Sequence, residues 1–331
     1  MKTLVAAALA LLFFATACPV PAQEQSALVQ KRTVPLPGVK GRFDHFAIDA
    51  TNHRLFIAAL GNNSLEVIDV NAGQHLQSIP GMSKPTGVLY LADLNQVLVA
   101  NGSDGTLKFL NGTTFNLERN LTGFDDADNL RLDPRSKLAW LGFGDGAFAV
   151  VDVASGKTSG TTKLSRHPES FQLEQDGARL FVNIPDARQV AVVDREKRSV
   201  VVTWPMQKFH ANFPMALDEP GHRVFVGCRS PARLVVLDSA TGSSIAEVPI
   251  SGDTDDLFFD AARKRIYLSC GEGFIDVVAQ RGADHYELKE KIPTRSGART
   301  SYYSAALNQF YVGVPARGNQ PAELRIFQVG N

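Results

Sequence analysis

The residues with the clearest chemical potential are carboxylates that recur at similar spacing along the chain. The segment SGDTDDLFFD places Asp253, Asp255 and Asp256 directly before the apolar run Leu257–Phe259. Comparable groups stand earlier, at Asp44 with His45, at Asp128 with Asn129, and at Glu169. Carboxylates that converge on one place can bind a cation, retain a proton at neutral pH or act as general bases. Which of these is possible depends on the elements that position them.

A sevenfold repeat underlies the spacing. An apolar strand with a polar or basic first residue begins at Arg54, Gln96, Lys137, Arg179, Arg223, Arg265 and Gln309, at intervals of 42, 41, 42, 44, 42 and 44 residues. A second apolar strand follows each of them after a loop rich in Gly, Asn, Asp or Pro, residue types that favour turns. Further short strands precede and follow these hairpins. Four short strands in a unit of about 42 residues are typical of a β-propeller blade.

The sequence therefore predicts an all-β fold, a seven-bladed β-propeller with four-stranded blades, formed as a single domain by residues 23–331. The last unit ends at Gly330-Asn331 and lacks a fourth strand. Fourth strands elsewhere end in an apolar residue followed by Pro, and the same pair occurs at Val34-Pro35. We expect residues 28–36 to form the outer strand of the seventh blade, which closes the ring and covers an open sheet edge.

The first 22 residues have the features of a signal peptide. Lys2 precedes an apolar stretch, Leu4–Ala17, that is too short to span a membrane, and residues 20–22 (VPA) offer a small-residue cleavage site. We therefore expect a periplasmic or secreted protein. The segment ATAC at 15–18 also resembles a loose bacterial lipobox, so a lipid anchor at Cys18 remains an alternative.

Composition excludes several classes of protein. Lys and Arg number 34, as do Asp and Glu, and this zero net charge argues against a nucleic-acid partner. Apart from Cys18 the chain has two cysteines, Cys228 and Cys270, which form neither a disulfide framework nor a CxxCH haem site. We interpret both as buried apolar residues. No later apolar stretch is long enough to cross a bilayer, and we expect a monomer.

The hairpins of the type RLFIA…LEVIDV resemble those of the YVTN/YncE-type seven-bladed β-propeller family, from about residue 28 to residue 329. The resemblance implies export and the binding of a ligand or partner, often without known catalysis. These motifs are structural and indicate a blade rather than a substrate. Quinoprotein dehydrogenases and phosphogluconolactonase-like lactonases are other seven-bladed relatives, but the regular Trp repeats of the quinoproteins are missing, since the chain has only Trp140 and Trp204.

Alignment of the seven units places one residue per blade at the start of the innermost strand, where it faces the central channel. These residues are Asp44, Thr86, Asp128, Glu169, Phe213, Asp255 and Arg299. Four of the seven are acidic, and Arg299 is the one basic residue among them. The next position is also polar in most blades and includes His45, Asn129 and Asp256. Other polar residues lie just upstream, namely Lys84, Asp126, His167, His210 and Asp253.

We therefore predict a ligand site at the channel mouth, formed by Asp44, His45, Asp128, Asn129, Glu169, Asp255, Asp256 and Arg299. Oxygen ligands favour Ca²⁺ or Mg²⁺, whereas nearby histidines shift the preference toward a transition metal. The same residues also serve as turn and capping residues in proteins that bind no ligand there.

Two functional hypotheses follow. The first is an exported, YncE-like propeller that binds a small molecule, an ion or a protein partner at the channel mouth without catalysis. The alternative is a lactonase-like hydrolase, in which a carboxylate or histidine is the general base and a divalent cation or Arg299 stabilises the oxyanion.

Overall fold

The computed structural model describes residues 26–331, which form seven antiparallel four-stranded sheets. Each sheet packs against the next, so that the seven blades form the ring that the repeat predicts. The predicted signal peptide of residues 1–22 and the alternative lipid anchor at Cys18 lie outside the described residues. Within residues 26–331 no helix is long and apolar enough to cross a membrane.

In six blades the strands run outward from the channel in chain order, and in the seventh the outer strand is β1. The innermost strands are β2 (Phe46–Asp49), β6 (Pro85–Leu91), β10 (Leu130–Leu132), β14 (Phe171–Leu173), β18 (His210–Asp218), β22 (Thr254–Asp260) and β26 (Thr300–Ser304). The second strands are β3 (Arg54–Ala59), β7 (Gln96–Asn101), β11 (Leu138–Phe143), β15 (Arg179–Ile184), β19 (Arg223–Ser230), β23 (Arg265–Cys270) and β27 (Gln309–Val314). The second strands begin at, or one residue after, the positions that the repeat predicts.

The outer half of each blade completes the sheet. The third strands are β4 (Ser64–Asp69), β8 (Thr106–Asn111), β12 (Ala147–Asp152), β16 (Gln189–Asp194), β20 (Ala232–Asp238), β24 (Phe274–Gln280) and β28 (Ala322–Val329). The fourth strands are β5 (Gln74–Ile79), β9 (Leu117–Thr122), β13 (Lys157–Lys163), β17 (Ser199–Pro205), β21 (Ser244–Pro249), β25 (Tyr286–Pro293) and β1 (Leu28–Leu36). Short 3-10 turns occur at Leu60–Asn62, Ala92–Leu94 and Pro185–Ala187, and no α-helix occurs in residues 26–331.

The N-terminal strand closes the ring, as predicted. β1 pairs antiparallel with β28, from Leu28 opposite Val329 to Leu36 opposite Ala322, and so becomes the fourth strand of the seventh blade. Leu28 and Leu36 are buried, each in the apolar interface with a different neighbouring blade. Backbone hydrogen bonds within one sheet therefore join the first and last strands of residues 26–331.

The apolar core lies between the blades. Seven clusters of buried side chains each bridge one pair of neighbouring blades, so that every sheet is covered on both faces. Aromatic pairs occur across these interfaces, for example Phe148 with Phe171 at 4.7 Å between ring centroids. Cys228 and Cys270 are buried and unpaired, as predicted. Core packing on both faces of each sheet holds the inner strands at fixed positions around the channel.

Candidate functional site

Backbone geometry at the start of the inner strands positions the predicted ring residues. The N–H groups of Asp44, Asp128 and Glu169 donate hydrogen bonds of 2.8–3.0 Å to carbonyls at the ends of β3, β11 and β15. In four blades the residue two positions before the ring residue is a non-glycine residue with a left-handed backbone. These residues have φ between 48° and 58° and are Lys84, Asp126, Ala211 and Asp253. This turn is rare for residues other than Gly, Asn and Asp. In these blades the same turn brings the chain into the inner strand.

All seven ring residues line one cavity of about 250 Å³ at the channel mouth. His45, Asn129, Lys84, Asp126 and His167 line the same cavity. The structure therefore brings together seven of the eight residues predicted to bind a ligand. The eighth, Asp256, does not line this cavity. His210 does not line it either; it begins β18 and lies opposite Ser230 in β19.

One side of the mouth is an ion-pair network around Asp255. Arg299 Nε lies 2.9 Å from Asp255 Oδ2, and Arg299 Nη1 lies 2.7 Å from Asp253 Oδ1. Arg229 also pairs with Asp255, and its guanidinium lies 4.0 Å from the centroid of the Phe213 ring. Two arginines and two aspartates balance one another here. Asp255 is consequently less available to a cation than the other ring carboxylates.

Arg299 is thus not the only arginine that neutralises the ring, which corrects the expectation from the sequence. Arg229 was missed because it lies at the end of a second strand rather than at the start of an inner strand. The sequence spacing gave no signal for it, since the second strand and the third strand start as far apart in this blade (Arg223 to Leu234) as in the first (Arg54 to Leu65). In the structure β19 has eight residues where the other second strands have six, and Arg229 is one of the two additional residues.

The other side of the mouth holds carboxylates and histidines. Ligand atoms of Asp128, His167 and Glu169 lie within 4.8 Å of one another, and so do those of Asp44, His45 and Asp128. His167 Nδ1 lies 2.7 Å from the carbonyl oxygen of Gly144, to which it donates, while its Nε2 lies 3.7 Å from Asp128 Oδ2. Asp128 is common to both groups. We refer to Asp128, His167 and Glu169 as the acid–histidine cluster.

His45 is engaged differently from His167. The side-chain amide of Asn129 lies 2.8 Å from His45 Nε2, and His45 Nδ1 lies 3.8 Å from Asp256 Oδ1. Burial lowers the pKa of His45, in agreement with a neutral ring that accepts a hydrogen bond from the amide. Because its Nε2 lone pair already has a donor, His45 is a weaker candidate ligand than His167.

Burial and mutual repulsion shift the pKa values of the carboxyl groups in the mouth. Burial, followed by the charge of Asp128, raises the pKa of Glu169 to about 8. The same causes, in the same order, raise the pKa of Asp44 well above its usual value. Burial disfavours the charged form of His167, but its interactions with Asp128 and the Gly144 carbonyl raise its pKa to about 9. Positive charge in the mouth comes from His167, Arg229 and Arg299, and from Arg42, which lies 3.7 Å from Asp44. The raised pKa values of Glu169 and Asp44 show that this charge does not offset burial at those two carboxyl groups, where a bound cation would favour the ionised form.

Asp256 lies one step deeper in the channel. Its Oδ2 accepts a hydrogen bond of 2.7 Å from the backbone N–H of Ser301, and burial raises its pKa. With His45 and Arg131 it lines a narrow cavity of about 60 Å³. Asp256 thus connects the mouth to the lower channel rather than lining the mouth itself.

The sequence matches no protein-family model and no curated protein. The fold is similar to that of many solved structures. They include a chain from the crystal structure of a mitotic checkpoint complex, with a TM-score of 0.75 and 16% identity over 99% of this chain and 100% of that chain. A chain of Kuenenia stuttgartiensis hydrazine synthase has a TM-score of 0.73 and 15% identity, over 84% of this chain and 95% of that chain.

The WD40 repeats of RRP9 match with a TM-score of 0.78 and 12% identity, over 92% of this chain and 99% of that chain. Identities this low show the fold alone. The chain is a seven-bladed β-propeller, an architecture that typically mediates the binding of ligands or proteins.

Proposed function

We propose that this protein is an exported β-propeller of the YVTN/YncE type that binds a divalent cation at its channel mouth, without catalysis. Export is supported by the sequence of the first 22 residues, and the family by the seven hairpins. The orientation of His167 is the main observation that supports the proposed cation site. A small molecule or a protein partner would then bind over the ion, within the cavity of about 250 Å³.

His167 is held as metal-binding histidines usually are. Such residues commonly donate one ring N–H to a backbone carbonyl, which fixes the tautomer and leaves the other nitrogen free to bind the metal. Here Nδ1 donates to the Gly144 carbonyl, and Nε2 lies beside Asp128 and Glu169. Because the pKa of His167 is raised to about 9, a bound ion would displace the proton that Nε2 carries at neutral pH. Pro168 follows His167 in the chain and restricts its backbone. The ring is therefore oriented before any ion binds.

The donor set determines which ion fits. One imidazole nitrogen and two carboxylates suit Mn²⁺, Fe²⁺ or Zn²⁺ better than Ca²⁺, which prefers oxygen ligands alone. Asp44 lies next to Asp128 and can add a further oxygen. The structure thus moves the expectation from Ca²⁺ or Mg²⁺ toward a transition metal, because histidine lies inside the cluster.

Calorimetric titration of the EDTA-treated protein with Mn²⁺, Zn²⁺ and Ca²⁺ tests the proposal. We expect one Mn²⁺ or Zn²⁺ per chain, bound more tightly than Ca²⁺, and a rise in melting temperature because the ion binds the folded state. His167→Ala and Glu169→Gln should abolish stoichiometric binding. His285→Ala is the matched control, since His285 is exposed and does not line the mouth. Unchanged binding in His167→Ala, or no binding in the parent protein, would overturn the proposal.

A second function, hydrolysis of a lactone, is favoured by one observation. Arg229 and Arg299 line the same cavity as the acid–histidine cluster, so guanidinium groups and a candidate base surround the same space. Glu169 could act as the base on water while an arginine stabilises the oxyanion. Assay of the metal-loaded protein on a lactone panel decides between the two functions. Turnover that is lost in Glu169→Gln would support the hydrolase, whereas metal binding without turnover supports the binding protein.

A further inference from the structure

The lower channel contains a second cavity, of about 300 Å³. Inner strands of blades one, two, three, four and seven line it, through side chains such as Ile48, Leu89, Leu132 and Tyr302. These residues follow the mouth residues along the same strands, and the two cavities have no lining residue in common. The second cavity therefore lies at the opposite end of the channel. Gln175 lines it and is exposed, so the cavity opens to solvent.

Arg131, in β10, is the one charged side chain among the residues that line this lower cavity. Its guanidinium lies 5.6 Å from the centroid of the Phe171 ring. Arg131 is half-buried, and its Nε has no hydrogen-bond partner. Within residues 26–331 no carboxylate forms a direct ion pair with it, and Asp256, which lines the adjoining narrow cavity with it, interacts with it electrostatically at longer range. Burial lowers its pKa, which reflects the cost of placing this charge away from water.

The two arginines that are more fully buried have direct partners. Arg195 lies 2.6 Å from Asp133, and Arg265 donates hydrogen bonds of 2.7 Å to the carbonyls of Gly330 and Asn331. Half-buried Arg131 has no such direct partner, and a charge that is partly removed from water without one is costly, so its guanidinium can accept a further counter-ion. The cavity beside it has room for one.

The walls around Arg131 determine what kind of anion fits. Most of the lining residues are of apolar or aromatic type, among them four leucines, one valine, one isoleucine, one phenylalanine and two tyrosines. Gln172 and Gln175 add polar groups, and the lining offers a single cation. A planar guanidinium matches a carboxylate through two parallel hydrogen bonds. A doubly charged phosphate would need more positive charge than one arginine supplies. An apolar body beside the carboxylate would bury against the inner strands.

We propose that the lower cavity binds a small apolar monocarboxylate, with Arg131 as its counter-ion and the apolar side chains of the inner strands around its body. This site is separate from the cation site at the mouth and does not depend on it.

Calorimetry with phenylacetate and hexanoate tests the site, with phenylacetamide and inorganic phosphate as comparison probes. We expect both carboxylates to bind, the neutral amide to bind far more weakly, and phosphate not to bind. Arg131→Met keeps most of the side-chain volume and removes the charge, so it should weaken carboxylate binding about ten- to hundredfold. Arg188→Met is the matched control, because Arg188 is exposed and lines none of the channel cavities.

Three results would overturn the proposal. The first is that neither carboxylate binds at millimolar concentration, and the second is that phenylacetamide binds as well as phenylacetate. The third is that Arg131→Met, folded by circular dichroism, binds phenylacetate like the parent protein. If that variant does not fold, the comparison of phenylacetate with phenylacetamide in the parent protein still tests the proposal. Tighter binding of phosphate would exclude an apolar carboxylate as the ligand class.

Discussion

At the scale of single residues, Glu66 shows how the blades accommodate buried charge. It is completely buried in β4, and its carboxylate accepts hydrogen bonds from Ser64, Ser78 and His75, the last at 2.7 Å. Burial alone would raise the pKa of Glu66, but these bonds lower it below its ordinary value of 4.5. The carboxylate therefore remains ionised inside blade one, and its partners stabilise that form.

Glu66→Gln should lower the free energy of unfolding at pH 7 by about 2 kcal/mol, because the hydrogen bonds lose their charged acceptor. The pKa of Glu66 is lower in the folded than in the unfolded protein. Its contribution is therefore complete above the unfolded pKa and is lost as pH falls through the folded pKa. In urea unfolding, the difference between parent and variant should shrink below about pH 4.5. A difference that persists undiminished at pH 3 would contradict this account, and the exposed Glu118→Gln should change little at either pH.

At the scale of elements, the closing strand β1 is the contact on which the ring depends most. Leu36 is completely buried between the first and seventh blades, beside Leu55, Tyr311 and Leu324. Leu36→Ala should lower the free energy of unfolding by about 2–5 kcal/mol, through lost apolar burial and the cavity that remains. Leu117→Ala makes the same change in another fourth strand, β9, where the side chain is 56% exposed. Equal urea midpoints for the two variants would contradict the prediction that the packing of β1 stabilises the closed ring.

The sequence predicted the strands and their arrangement better than it predicted the contacts between side chains. Blade strands recur with a fixed period, so pattern alone predicted the seven sheets, the closing strand β1 and the seven residues at the mouth. Side-chain contacts between neighbouring blades were harder to predict from the sequence. Arg229 and Asp255 belong to neighbouring blades, and so do His167 and Gly144. Their contacts depend on how far each strand extends and how each blade is rotated. The spacing of the repeat determines neither of these.

At the scale of the whole molecule, one channel joins two chemically different cavities. Acidic and histidine side chains predominate on one side of the mouth, whereas mostly apolar residue types, two glutamines and a single arginine line the lower cavity. Between them lies the narrow passage lined by His45, Asn129 and Asp256. The inner strands are fixed by the packing between blades, so neither end needs to move to form its site. The sequence did not predict the residues of the lower cavity. Arg131 is a single polar residue between two leucines in its inner strand, and one such residue does not indicate a site.

The two sites should bind their ligands together. They have no lining residue in common, and a cation at the mouth attracts rather than repels an anion in the same channel. We therefore expect Mn²⁺ to bind as tightly, or slightly more tightly, when phenylacetate saturates the lower cavity. Each ligand stabilises the folded state by its own occupancy, so their shifts in melting temperature should add. Calorimetric titration of Mn²⁺ with and without phenylacetate measures the coupling. Mutual exclusion would mean that phenylacetate reaches the mouth, and it would place the carboxylate on the metal rather than on Arg131.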